Sequence, residues 1–187
     1  MNILNMYASL NGQTEKVAFE IEKVVIEAGH AVTTINIEKQ GDIIDLLEYD
    51  LTFIGSGVYT WLPGKGLLKW IEKQMDYARK NDLILPGSPK IPGKFACVYC
   101  TYAGPHTGEG EAIPAIKYMG QLFEHLGITV ADEWSIVGAF VPEKMRHFNT
   151  CGRLGNIVGR PNAEDLRQVR EKTKGVIDSL QLSIPVK

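Results

Sequence analysis

Short, nearly continuous apolar runs at residues 3–8, 51–54 and 95–99 recur along the chain, separated by longer stretches with apolar positions three and four apart. Continuous runs suit parallel strands covered on both faces, and the wider spacing suits helices with one buried stripe. The helical stripes are Val17, Ile21, Val24, Val25 and Ala28; Leu67, Leu68, Ile71 and Met75; Ile113, Ile116, Gly120 and Phe123; and Leu166, Val169, Val176 and Leu180. Residues 31–37 are more mixed, with Thr33, Thr34 and Asn36 interspersed as on an edge strand, and residues 128–137 supply a last strand. Gly29 ends the first helix and Gly127 the helix before the last strand; Asn162, between Pro161 and Asp165, is placed to cap the final one. Residues 42–49 leave room for only a short helix or turn. This alternation, with right-handed crossovers, predicts an α/β fold, an open, doubly wound parallel sheet of five strands, for which the commoner order 2-1-3-4-5 is expected.

Two stretches exceed a minimal version of that plan. Residues 80–94, rich in Pro and Gly, read as an exposed loop, and residues 140–160 carry no clear periodicity. The second follows the last strand, on the edge where such sheets bind ligands, and its Lys144, Arg146, Arg153 and Arg160 against Glu143 make it locally basic. A lid over the site, binding an anionic or aromatic second substrate, and a solvated loop or oligomer contact are both open readings.

Composition adds bounds. A chain of 187 residues with 44% apolar content suits one domain spanning residues 1–187 with a core of its own. Twenty basic residues balance 22 acidic ones, so nothing points to nucleic acid or an anionic membrane surface. No run is long enough to span a bilayer, and the start, Asn2-Ile3-Leu4, lacks a basic segment and cleavage site; a cytoplasmic protein is expected. Cys97 and Cys100 have CxxC spacing but lie inside a strand, where they read as buried small hydrophobes, and no cluster has metal-ligand spacing.

Candidate chemistry gathers after the first strand. Ser9-Leu10-Asn11-Gly12-Gln13-Thr14 leaves a strand and opens a helix, so its hydroxyls and free backbone N–H groups form an anion cradle at the positive helix end. The same residue types also cap ordinary helices. In the expected strand order, the loops leaving the first, third and fourth strands converge at the switch point. The second loop brings Ser56, Gly57, Val58, Tyr59, Thr60 and Trp61; the third brings Thr101, Tyr102, Ala103, Gly104, His106 and Gly108. A phosphate cradle flanked by two aromatic loops describes a planar ring tethered to a phosphate, although each aromatic could instead cover the sheet edge. His106 reads as a proton donor to such a ring or as an exposed polar residue; His30 and His125, near helix ends, read as surface residues.

These residues give the chain its resemblance to the flavodoxin superfamily, over nearly its whole length. Ser9, Gly12 and Thr14 match the family's phosphate signature, with Asn11 where Thr is usual, and Tyr59, Trp61 and Tyr102 match its aromatic positions. The resemblance implies noncovalent FMN, with its phosphate on residues 9–14 and its ring between the second and third loops. It implies electron transfer with a redox partner protein or, alternatively, NAD(P)H-dependent reduction of a quinone or similar acceptor. Many relatives with long terminal loops dimerise, which makes a homodimer an expectation by analogy. Two departures bear on the choice. Where many flavodoxins have a Gly-containing peptide that rotates toward one-electron reduced flavin, this chain has Leu62-Pro63, and proline hinders such rotation. Single-electron flavodoxins are also usually strongly acidic, whereas the net charge here is −2. Phosphoacceptor receivers, cobalamin modules, Walker loops and iron–sulfur variants each lack their defining residues.

Overall fold

In a computed structural model that describes residues 1–181, β1 (Asn2–Ala8) is an interior strand of a parallel sheet, buried from Ile3 to Ala8. It is followed by α1 (Gln13–Glu27), β2 (Ala31–Asn36), β3 (Leu51–Tyr59), β4 (Leu62–Pro63) and α2 (Lys65–Lys80). Then come β5 (Phe95–Tyr102), α3 (Ile113–His125), β6 (Thr129–Val137), α4 (Phe148–Cys151) and α5 (Ala163–Gln181). The parallel order is β2-β1-β3-β5-β6, the expected doubly wound order, with β2 at one edge. Residues 42–49 hold only the single turn Leu46–Glu48.

Strand alternation sends side chains to two cores. Leu4, Met6, Ile54 and Val98 pack with α2 and α3 on one face; Ile3, Phe53, Tyr99 and Trp134 pack with α1 and α5 on the other. The CxxC cysteines, Cys97 and Cys100, are fully buried within β5. Asn162 caps α5: its Oδ1 accepts from Glu164 and Asp165 N–H, while Asp165 accepts from Asn162 N–H, a reciprocal capping box.

The expected strands at residues 51–54 and 95–99 are too short. β3 continues through Gly55, Ser56, Gly57 and Val58 to Tyr59, and β5 through Thr101 to Tyr102, because both neighbours stay in register, Gly55 opposite Tyr99 and Gly57 opposite Thr101. Gly55 is tolerated inside the strand for a packing reason: the Tyr99 ring stands 2.1 Å from where its Cβ would be. β3 also turns back on itself. Val58 pairs with Pro63 and Tyr59 with Leu62, which adds the short antiparallel β4 that the apolar pattern does not predict.

Candidate functional site

The switch point lies where the order passes from β1 to β3, and an open cavity of about 490 Å³ occupies the strand ends there. That is a size typical of small-molecule sites. Ser9, Asn11, Gln13 and Thr14 line it from β1; Gly57, Val58, Tyr59, Thr60 and Trp61 from β3; and Thr101, Tyr102, Ala103, Gly104 and His106 from β5. Most of the sequence-derived candidates are thus brought together.

Residues 9–14 form a turn because Gly12 takes φ +79°, a left-handed conformation that suits glycine. α1 has no side-chain cap at that position. Among the described residues, the N–H groups of Asn11, Gly12, Gln13 and Thr14 donate to no protein acceptor, and they lie at the positive end of a helix of 15 residues. The Ser9 hydroxyl accepts from Glu15 N–H at 3.3 Å and keeps its own hydrogen to donate. Thr14 is buried, its hydroxyl 2.8 Å from that of Thr101; the two share one hydrogen bond and leave one hydrogen for another acceptor. Gln13 reaches Ala139 O through Nε2, while its Oε1 is buried without a partner.

On the β3 side, Thr60 at φ +49° and Trp61 at φ +65° make a two-residue turn of the type that suits the right-handed twist of a hairpin. Neither residue is a glycine or asparagine, so the turn is strained. It presents Trp61 at its tip, 56% exposed. Tyr59 folds back over Gly57, with a ring carbon 3.0 Å from where a Gly57 Cβ would stand. Burial raises the Tyr59 phenol, the Glu38 carboxylate adds to the rise, and a backbone hydrogen bond from Leu10 opposes it.

The β5 loop is braced by a carboxylate, since Glu111 Oε1 accepts from both His106 and Thr107 N–H at 2.8 Å. Tyr102 is buried, and its phenol is pushed up to about 12, by burial first and then by Glu109 and Cys100. His106 is exposed and meets the Phe148 ring edge-on at 5.6 Å.

Three candidates sit elsewhere. Gly12 and Gly108 shape the turns beneath the cavity without lining it, and Ser56 is buried behind it. Ser56 has structural work there: its hydroxyl accepts from Gly64 N–H at 2.9 Å and donates to Gly57 O, stapling the β3–β4 hairpin.

Sequence reasoning did not assign Pro105, Glu111, Gly138, Ala139, Phe140, Pro142 and Met145 to the wall. The last five follow β6, where the aperiodic stretch at residues 140–160 was the available signal. Its structure is built around Asn149, which accepts from Phe140 N–H at 2.8 Å and donates to Phe140 O at 3.0 Å, as a neighbouring strand would. Arg160, one of the four lid cations, is not free for a ligand, because it is paired with buried Asp165. Among the described residues no group of His, Cys, Asp and Glu could hold a metal ion, and no helix is long and apolar enough to cross a membrane.

A family model described as a flavodoxin domain matches residues 4–85, the stretch containing the β1 turn and the hairpin. Among curated proteins none matches this chain. Solved structures share the fold across the whole length. A flavodoxin 1 from Bacillus cereus is 16% identical, with a TM-score of 0.66 over 95% of this chain and 98% of that one. A flavodoxin from the domain Archaea is 15% identical, with 0.64 over 97% and 99%. An azoreductase from Bacillus anthracis is 14% identical, with 0.64 over 96% and 99%. The resemblance read from the sequence holds, and the fold is flavodoxin-like.

Proposed function

We propose, for this flavodoxin-like chain, that it binds FMN noncovalently in the cavity at the β1–β3 switch point and works as a redox protein in electron transfer. The observation that carries this reading is the turn at residues 9–14, with its four unpartnered backbone N–H groups. A phosphate satisfies those donors at a helix N-terminus, with the hydroxyls of Ser9 and Thr14 beside them. The unpaired Gln13 Oε1 suits a donor such as a ribityl hydroxyl. Gly57, Val58, Tyr59, Thr60 and Trp61 on one side, and Thr101, Tyr102, Ala103 and Gly104 on the other, would hold the ring, since they line the same opening.

Bound there, the flavin supplies the electron chemistry, and the protein supplies binding and tuning. Aromatic faces at Tyr59, Trp61 and Tyr102 favour the electron-poor oxidised ring and so lower its potential. His106, exposed at the rim, is placed to donate a proton. Titrating FMN into the purified protein, with flavin fluorescence and visible absorbance as readouts, tests the reading. Saturable one-to-one binding that weakens on Ser9→Ala with Thr14→Val supports it, and a chain that leaves FMN free overturns it.

The hairpin favours a second reading, an NAD(P)H-dependent FMN oxidoreductase reducing a quinone or similar acceptor. The peptide after Trp61 runs into Leu62, paired with Tyr59, and then Pro63, so it cannot rotate without breaking β4. Anaerobic stepwise reduction separates the two: resolved one-electron steps support the carrier, and a single two-electron step with consumption of NADH or NADPH supports the reductase. A cytoplasmic setting and a homodimer complete the proposal.

A further inference from the structure

Of the six arginines in the chain, four are paired with carboxylates: Arg79 with Asp76, Arg160 with Asp165, Arg167 with Glu164, and Arg170 with Glu20 and Glu27. The other two, Arg146 and Arg153, form no ion pair among the described residues; neither lines the cavity, but each is tied to a segment that does. Arg146 follows Met145, which lines the cavity, and its Nε donates to Val141 O at 2.9 Å, between the lining residues Phe140 and Pro142. Arg153 donates its backbone N–H to the O of Pro105, another lining residue, at 2.9 Å, and lays its stem 3.6 Å from where a Gly108 Cβ would stand.

The wall that the adjoining segment contributes is apolar, with Phe140, Pro142 and Met145. Phe140 is held by the double hydrogen bond to Asn149 and lies against Phe148 at 6.1 Å between ring centroids. The nearby acids are largely engaged, Glu111 with the His106 and Thr107 N–H groups and Glu109 with Ser135, which leaves Glu143 against Lys144 and the two guanidinium groups.

An unpaired guanidinium beside an aromatic wall recognises a flat molecule that ends in a carboxylate, sulfonate or phosphate, through bidentate hydrogen bonds and ring contact together. We infer that the Phe140–Met145 wall with Arg146 and Arg153 is a second ligand site, for a planar aromatic molecule bearing an anionic group, which shares the cavity with the flavin. The inference rests on the flavin reading, and it gives the segment at residues 140–153 a job that cofactor binding alone does not require.

The test uses FMN-loaded protein and two probes, anthraquinone sulfonate and the uncharged hydroxymethyl anthraquinone, with perturbation of the flavin absorbance as the binding signal. The sulfonate should bind more tightly than the uncharged probe. Arg146→Gln with Arg153→Gln should weaken it by about tenfold, the loss of a charge-assisted contact, while FMN affinity and the uncharged probe change by less than about twofold. Both residues are exposed, so folding is not at stake. Equal binding of the two probes, or a variant indifferent to the charge, overturns the inference alone. Loss of FMN affinity in the variant also overturns it, by giving the arginines to the cofactor. A wild-type chain that takes up no FMN overturns the flavin reading, and this inference with it, before any probe is added.

Discussion

Gly12 and Gly104 both hold positive φ, at +79° and +49°, yet their substitutions should not cost the same. A Cβ on Gly12 meets nothing within 4 Å, so Gly12→Ala carries only the left-handed backbone penalty, about 1–2 kcal/mol. A Cβ on Gly104 would stand 2.5 Å from Gly108 O, backbone against backbone, and the loop that carries Pro105 and His106 would have to open. Gly104→Ala should therefore lose at least about 3 kcal/mol, strain added to the same left-handed penalty, and weaken FMN as well. Urea unfolding of the two variants, with FMN titration alongside, measures the difference; equal losses would show that the Gly108 contact relaxes without cost. The need for glycine at such turns is legible in sequence, but which residue faces the cavity is not: Gly108 and Gly104 look alike in the chain, and only Gly104 lines the site.

The elements that sequence revealed are those written in local signals. The α5 capping box is one, with Asn162 and Asp165 three residues apart, and Asn162→Ala should cost about 1 kcal/mol in thermal or urea unfolding. The β3–β4 hairpin is the opposite case. Its turn residues, Thr60 and Trp61, carry none of the Asn-Gly chemistry that announces a two-residue hairpin, and the staple that holds it, Ser56 to Gly64, spans eight residues. Strain retained against turn preference points to use. Thr60→Asn with Trp61→Gly should raise stability by about 1–2 kcal/mol by relieving both left-handed residues. It should also weaken FMN by removing the exposed indole. A variant that is more stable and binds FMN unchanged would take Trp61 out of the site.

Across the whole molecule, the sheet divides two cores, and the periodicity of the apolar positions sufficed to place the five parallel strands and the main helices, while their order follows the commoner doubly wound plan. What the periodicity could not show is how far β3 and β5 run, because their last residues are held by pairing rather than by their own pattern: Gly57 on Thr101, Thr101 and Tyr102 on β6, and Val58 and Tyr59 on the β4 hairpin arm. Running β5 through the interior has an electrostatic consequence. Burial raises Cys97 and Tyr99 well above their usual values and pushes Cys100 and Tyr102 up to about 12, as it does Tyr7 on the neighbouring side of the sheet. In the unfolded chain these groups ionise from about pH 9 to 10, so above that range the native state holds more protons than the unfolded one. Their contribution is thus fully present below about pH 9 and is lost as pH rises toward their folded values. The melting temperature should be level near neutrality and fall steeply from about pH 10. Tyr102→Phe removes one of these groups while keeping a ring at the cavity, so it should flatten the alkaline fall and leave FMN binding within about threefold, the loss of one neutral contact. An unchanged alkaline slope in that variant would mean that Tyr102 ionises in place, and that the β5 end of the cavity is wetter than its packing shows.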